Sequence, residues 1–182
     1  MPRAAGFCVF DTAIGGCGIA WAEDARIVGV QLPEDDDKAT RARMRRRFAG
    51  APESAPLPDV EAVIGRVRAL LEGEPDPMLD VPLDMSLVSP FEQRVYEITR
   101  AIPPGRTLTY GEVAARIGEP TAARAVGQAL GHNPFAPIVP CHRVLAAGTG
   151  GGGFSAEGGV ATKLRMLQIE KAQLGSEPGL FD

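Results

Sequence analysis

The stretch TYGEVAARIGEPTAARAVGQALG, Thr109–Gly131, decides the fold of the second half of the chain. Thr109 is placed to cap a helix from Tyr110 to Ile117, in which Val113, Ala114 and Ile117 share one face. Gly118-Glu119-Pro120 turns the chain, and Thr121 is placed to cap a further helix from Ala122 to about Gly131. Two short helices across a glycine-containing turn form a helix-turn-helix. In the second helix Ala122, Ala125, Val126, Ala129 and Leu130 make an inward stripe, leaving Arg124, Gly127, Gln128 and Gly131 on the other face. A glycine inside a helix costs about 1 kcal/mol relative to alanine, so a face with two of them implies that backbone must approach something closely. That partner is either a nucleic-acid groove or another helix of the same domain.

Upstream, Ser89-Pro90-Phe91-Glu92 is a capping box with proline at the first helical position, opening a helix to about Arg100 that Pro103-Pro104-Gly105 stops. Before it the pattern changes to strands: Gly6 to Thr12, Cys17 to Ala22 and Arg26 to Leu32 are short apolar runs separated by turn residues, which predicts an antiparallel meander. Lys38 to Phe48 is expected to be an exposed helix, and its arginine run Arg45-Arg46-Arg47 either meets a polyanion or solvates a face. Asp59 is expected to cap a helix through Leu71, with Val60, Val63, Ile64, Val67 and Leu71 at helical spacing. Pro75, Pro77 and Pro82 then break the pattern, which puts a sheet-and-helix domain at 1–88, a helix-turn-helix domain at 89–175 and a tail at 176–182.

Downstream lies Asn133-Pro134-Phe135-Ala136-Pro137-Ile138-Val139-Pro140-Cys141-His142-Arg143-Val144. Zinc needs about four ligands, and with only His132 and His142 in the chain a metal site is not expected. A thiol beside an imidazole suits nucleophilic catalysis better, with His142 as the base for Cys141 directly or through water. An imidazole in that role needs a carboxylate, and the last helix offers one: Lys163, Met166, Leu167, Glu170 and Leu174 share a face. Glu170 either finds a buried partner there or is a helix-end glutamate reaching solvent or Lys163. The glycine-rich segment Gly148–Gly159 lacks the lysine of a phosphate loop and either walls a flat ligand or connects elements.

Apolar residues make up 45% of the 182, charged residues 23% and aromatics 5%, the balance of a globular chain. No run approaches the roughly 18 apolar residues of a membrane helix. The N-terminus reaches Asp11 without a sustained apolar segment, which argues against export and for the cytoplasm. Three cysteines are too few for a disulfide framework. The net charge of −4 divides unevenly: residues 1–88 carry 10 basic and 15 acidic side chains and residues 89–182 carry 9 and 8, so the second half is the one suited to a polyanion.

Pro140-Cys141-His142-Arg143-Val144, preceded by Asn133-Pro134, resembles the O6-alkylguanine-DNA alkyltransferase family. The likeness covers the whole second half in order, through Ser89-Pro90-Phe91, Ile102-Pro103-Pro104-Gly105, Thr109-Tyr110-Gly111-Glu112-Val113-Ala114, Ala122-Ala123-Arg124-Ala125-Val126-Gly127 and Gly153-Phe154-Ser155. The resemblance implies an α/β (α+β) chain, with a ribonuclease H-like N-terminal domain followed by a winged-helix-like DNA-binding domain. It implies that Cys141 takes the alkyl group from O6-alkylguanine, and from O4-alkylthymine, flipped out of double-stranded DNA. By position, Asn133, His142 and Glu170 activate the thiol. Tyr110, Val144, Ser155 and Lys163 surround the base, and Arg124 fills the gap in the stack while Ala123, Gly127 and Gln128 meet the groove. The resemblance implies no cofactor and a monomer that acts once; some relatives bind zinc in the N-terminal domain through cysteines and histidines, but Cys8 and Cys17 have no histidine nearby and are expected to pack in strands, so no metal is expected. Other classes are a non-catalytic damage sensor, a helix-turn-helix transcription regulator and a Cys-His hydrolase. The glycines give a regulator little with which to read base edges.

Overall fold

Alternating apolar side chains at the start of the chain build a three-stranded antiparallel meander, β1 (Gly6–Thr12), β2 (Gly15–Trp21) and β3 (Ile27–Gln31), in that spatial order. The structure, a computed structural model, describes residues 4–147 and 159–172. The expected positions Ser155 and Leu174 and the tail from residue 176 lie outside the described residues. β3 is one residue shorter at each end than the apolar run suggests; at its start Arg26 turns back to Asp24 through a 2.8 Å ion pair. Side chains alternate between the two faces of the sheet except at a bulge at Val28, where the β2–β3 register shifts: Ile19, Trp21, Ile27 and Val30 join the main core, while Phe7, Ala20 and Val28 lie under a helix.

That helix is α1 (Asp37–Arg47), capped by Asp36, whose side chain accepts from Ala39 N at 2.7 Å. It sits directly on the sheet backbone. A Cβ on Gly18 would come within 2.6 Å of Met44 and one on Gly29 within 2.5 Å of Phe48, so only glycine allows this approach. The arginine run divides by role. Arg41 and Arg45 reach Glu53 at 2.8 and 3.4 Å, and Arg43 reaches Glu34 at 3.3 Å. Arg47 turns inward and donates to Val30 O (2.9 Å), Gln31 Oε1 (3.1 Å) and Pro134 O (3.3 Å), which neither a polyanion contact nor a solvated face anticipates.

α2 (Pro58–Leu71) buries the expected stripe, but Asp59 does not cap it: Leu57 holds the cap position without a side-chain bond. Pro58, with fixed φ and no N–H to satisfy, starts the helix one residue earlier and leaves Asp59 in the first turn. α3 (Pro90–Arg100) and α4 (Tyr110–Arg116) both carry complete capping boxes, Ser89 with Glu92 and Thr109 with Glu112. α5 (Ala123–Gly131) has Ala122 at its cap and no side-chain cap bond, so Thr121 does not cap it. Ala122 N is bonded to Glu119 O at 2.9 Å, and that turn leaves exposed Thr121 outside the cap position.

The region beyond α5 returns toward α4. Cys141–Arg143 form a single 3₁₀ turn, followed by β5 (Val144–Leu145), which pairs in parallel with β4 (Leu108–Thr109) immediately before Tyr110. α6 (Val160–Ile169) closes the described chain and packs on the 3₁₀ turn. One core runs through both halves, from Phe10 and Val67 to Tyr96, Val126, Val139 and Met166. Hydrogen bonds cross between them as well: Val30 N to Pro134 O at 2.8 Å, and Arg100 Nη2 to the carbonyls of Met78 and Val81 at 2.6 and 3.1 Å.

Candidate active site

Cys141 stands at the first position of the 3₁₀ turn, which Pro140 enters with φ −82° and which the Arg143 N to Pro140 O bond closes at 2.9 Å. Only 6% of Cys141 is exposed. Burial pushes its thiol above the ordinary value, opposed by a hydrogen bond from the Asn133 side chain and by the Lys163 charge. Asn133 is itself fixed, since Nδ2 donates to Val139 O at 2.7 Å and Oδ1 accepts from Phe135 N at 2.9 Å. Burial thus keeps the sulfur a protonated thiol at neutral pH, while the asparagine and the lysine charge favour its ionised form.

His142 is completely buried, and burial lowers its pKa against the pull of Glu170, so the resting imidazole is neutral. Its Nε2 lies 3.1 Å from Glu170 Oε2, although neither ring nitrogen makes a well-aligned hydrogen bond among the described residues. Glu170, the C-cap of α6, does find a buried partner. Both arms of Arg143 hold it, Nε to Oε1 at 2.9 Å and Nη2 to Oε2 at 2.7 Å, while Arg143 Nη1 donates to Ile102 O at 2.7 Å. Burial alone would raise the Glu170 pKa, but His142 and Arg143 override it and hold the carboxyl at about 2. Arg143 stands in the cysteine motif, but sequence spacing assigns it no part in the chemistry. The signal that finds it is the rule that a buried carboxylate needs a charged partner.

Lys163 is 1% exposed and its Nζ donates to Val144 O at 2.8 Å while lying 5.8 Å from the centre of the Tyr110 ring. It therefore ties Val144 to Tyr110, and one lone pair of the Val144 carbonyl is already taken. Tyr110 is half-buried at the start of α4, its phenol raised by burial and by charge at Cys141. The fold thus brings Asn133, Cys141, His142, Glu170, Val144, Lys163 and Tyr110 to one place. The buried Tyr96 joins this group to α5, since its hydroxyl donates to Ala129 O at 2.7 Å.

On α5, Arg124 and Gln128 are exposed and Ala123 and Gly127 half-buried. A Cβ on Gly127 would meet only Tyr110 Cε2, at 4.0 Å, and one on Gly131 would meet nothing within 4 Å. Packing among the described residues requires neither glycine, which favours the groove over the helix–helix alternative. Cys17 is buried in the sheet and Cys8 half-buried, their thiols pushed up to about 12 and about 11, first by burial. No cluster of metal-ligating side chains occurs among the described residues.

Residues 90–172 match the family model described as the DNA binding domain of 6-O-methylguanine DNA methyltransferase. A methylated-DNA–protein-cysteine methyltransferase of Mycobacterium bovis is 48% identical over 103 residues, which are 57% of this chain and 61% of that protein. This chain therefore spans less than two thirds of that relative. The protein of the same name from Methanothermobacter thermautotrophicus is 34% identical over 158 residues, 86% of this chain and 80% of the relative. The crystal structure of Mycobacterium tuberculosis OGT in complex with DNA superposes with a TM-score of 0.73 at 34% identity, covering 91% of this chain and 92% of that one. At this identity and coverage, and with the same overall fold, the chain belongs to the methylated-DNA–protein-cysteine methyltransferase family.

Proposed function

We propose that this protein repairs O6-alkylguanine in double-stranded DNA by moving the alkyl group irreversibly to Cys141. The observation that carries the reading is a buried Cys141–His142 pair, backed by Glu170, in a 3₁₀ turn that follows a helix-turn-helix whose outer face is kept bare by glycine. At rest the thiol is protonated, so the protein does not react indiscriminately. His142, directly or through water, takes the thiol proton, and Glu170 stabilises the resulting imidazolium. The thiolate forms an S–C bond as the C–O6 bond breaks, the electron pair leaves with O6, and guanine takes up one proton. Asn133 and the Lys163 charge favour the thiolate as it forms.

The lesion reaches the thiol by rotating out of the duplex, at a cost of a few kcal/mol that a weakened pair reduces. In this reading Arg124 occupies the space left in the stack, Tyr110 supports the displaced base and Ala123, Gly127 and Gln128 line the groove. Residues 1–88 form a support domain for the reacting domain at 89–175. The protein needs no cofactor, acts as a monomer and works in the cytoplasm. No helix of the described residues is long and apolar enough to cross a membrane.

Mass spectrometry after mixing with an O6-methylguanine duplex tests this reading. The native protein gains one methylene on Cys141, and Cys141→Ser gains nothing while still binding the duplex. Native protein that binds the duplex and stays unmodified would instead be a sensor or regulator.

A further inference from the structure

A cleft of about 340 Å³ opens between the N-terminal sheet, α1 and the segment after α5, and Cys141 is one of its walls. Tyr110, Val144 and Lys163 do not line it. The nucleophile therefore adjoins a second space, apart from the residues that surround the base in the proposed reaction. Arg43 and Arg47 come into this space from α1, His132 and Asn133 from the end of α5, and no carboxylate is among its lining residues. Arg43 is tied at one side to Glu34 at 3.3 Å, yet 44% of its side chain stays exposed.

The geometry points to this cleft as a subsite for O6-alkyl groups that end in a carboxylate, with Arg43 as the residue that receives the anion and Arg47 as fixed positive background. Among the described residues Arg47 is held by carbonyl and amide oxygens with no acidic partner, and burial followed by the like charge of Arg43 lowers its pKa to about 10. Two guanidiniums that disfavour each other's charge gain from an anion placed between them. A methyl group is too short to use this space. An alkyl group extended by a carboxylate places apolar carbon beside Cys141 and negative charge in the cleft. The transfer is otherwise unchanged: the S–C bond forms at the O6-bound carbon, the C–O6 bond breaks with its electron pair left on oxygen, and guanine takes up a proton. The product is a carboxyalkyl thioether whose charge stays in the cleft.

The inference depends on the proposed alkyl transfer, and the test separates the two. Transfer rates are measured on matched duplexes carrying O6-carboxymethylguanine or O6-methylguanine, for native protein, Arg43→Met and Arg43→Glu. The readout is the ratio of the two rates within each protein, which cancels any general loss of folding or DNA affinity. The ratio should fall severalfold in Arg43→Met, up to about fivefold for one ionic contact near a protein surface, and further in Arg43→Glu. Ratios equal to native in both variants would overturn the subsite while leaving alkyl transfer intact. Failure of native protein to take the methyl group would overturn the proposed function, and the subsite with it.

Discussion

Glu170 accepts both arms of Arg143 and lies 3.1 Å from His142, so one carboxylate holds a buried cation and faces the imidazole. Its place was visible in the sequence because an acidic residue interrupts an apolar stripe on the last helix. Arg143 was not visible, because periodicity has nothing to say about a residue in a single 3₁₀ turn. The pairing has a consequence for acid stability. Folded Glu170 titrates at about 2, below the roughly 4.3 of an unfolded chain, so its contribution is complete above the unfolded value and is lost as pH falls toward 2. Glu170→Gln leaves Arg143 buried against a neutral amide and is expected to cost about 3–5 kcal/mol near neutral pH. Urea unfolding of both proteins should show that gap narrowing as pH drops from about 5 to about 2. A gap that ignores pH would mean that the carboxylate's charge does not matter. In the same variant the rate of Cys141 alkylation should shift to higher pH, because an amide cannot support a positive His142.

α5 shows what an element's pattern can and cannot reveal. Its inward stripe and bare outer face were legible from spacing alone, but whether the glycines served the molecule or a partner required neighbours in three dimensions. Among the described residues those neighbours are missing at Gly131, and at Gly127 the nearest sits at 4.0 Å. Gly131→Ala should therefore stabilise the protein by about 0.5–1 kcal/mol, read from urea unfolding; destabilisation would imply a hidden packing requirement. Arg124→Ala should slow repair of duplex DNA far more than reaction with free O6-benzylguanine, since a free base needs no extrusion. Equal losses on both would move Arg124 from the groove into the pocket. Caps were legible where a hydroxyl and a glutamate stand three residues apart, at Ser89 and Thr109. Asp59 and Thr121 misled because a proline and a preceding turn set those helix starts. The β4–β5 pairing left no trace in the sequence, as two-residue strands have no period and their partners lie far apart along the chain.

Across the whole molecule, the change from strands to helices marks two halves that share one core. Arg47 and Val30 both donate to Pro134 O, next to Asn133, so the first half supports the loop that fixes the thiol. That contact could not be read from an arginine run, which looks the same whether it faces water or turns inward. The arrangement also bears on how often the molecule can act. A methyl thioether on Cys141 is uncharged and has no good leaving group, and among the described residues the side chains around it hold no second acceptor: His142 lies against Glu170, and Lys163 is engaged by Val144. With Cys141 6% exposed, water also has poor access to the spent sulfur. Excess methylated duplex added to a known amount of protein should thus give a burst that plateaus at one methyl per chain, with no steady phase after it. A linear phase continuing past the plateau, in protein free of other repair activity, would mean that Cys141 is regenerated and that the buried turn admits a second reaction.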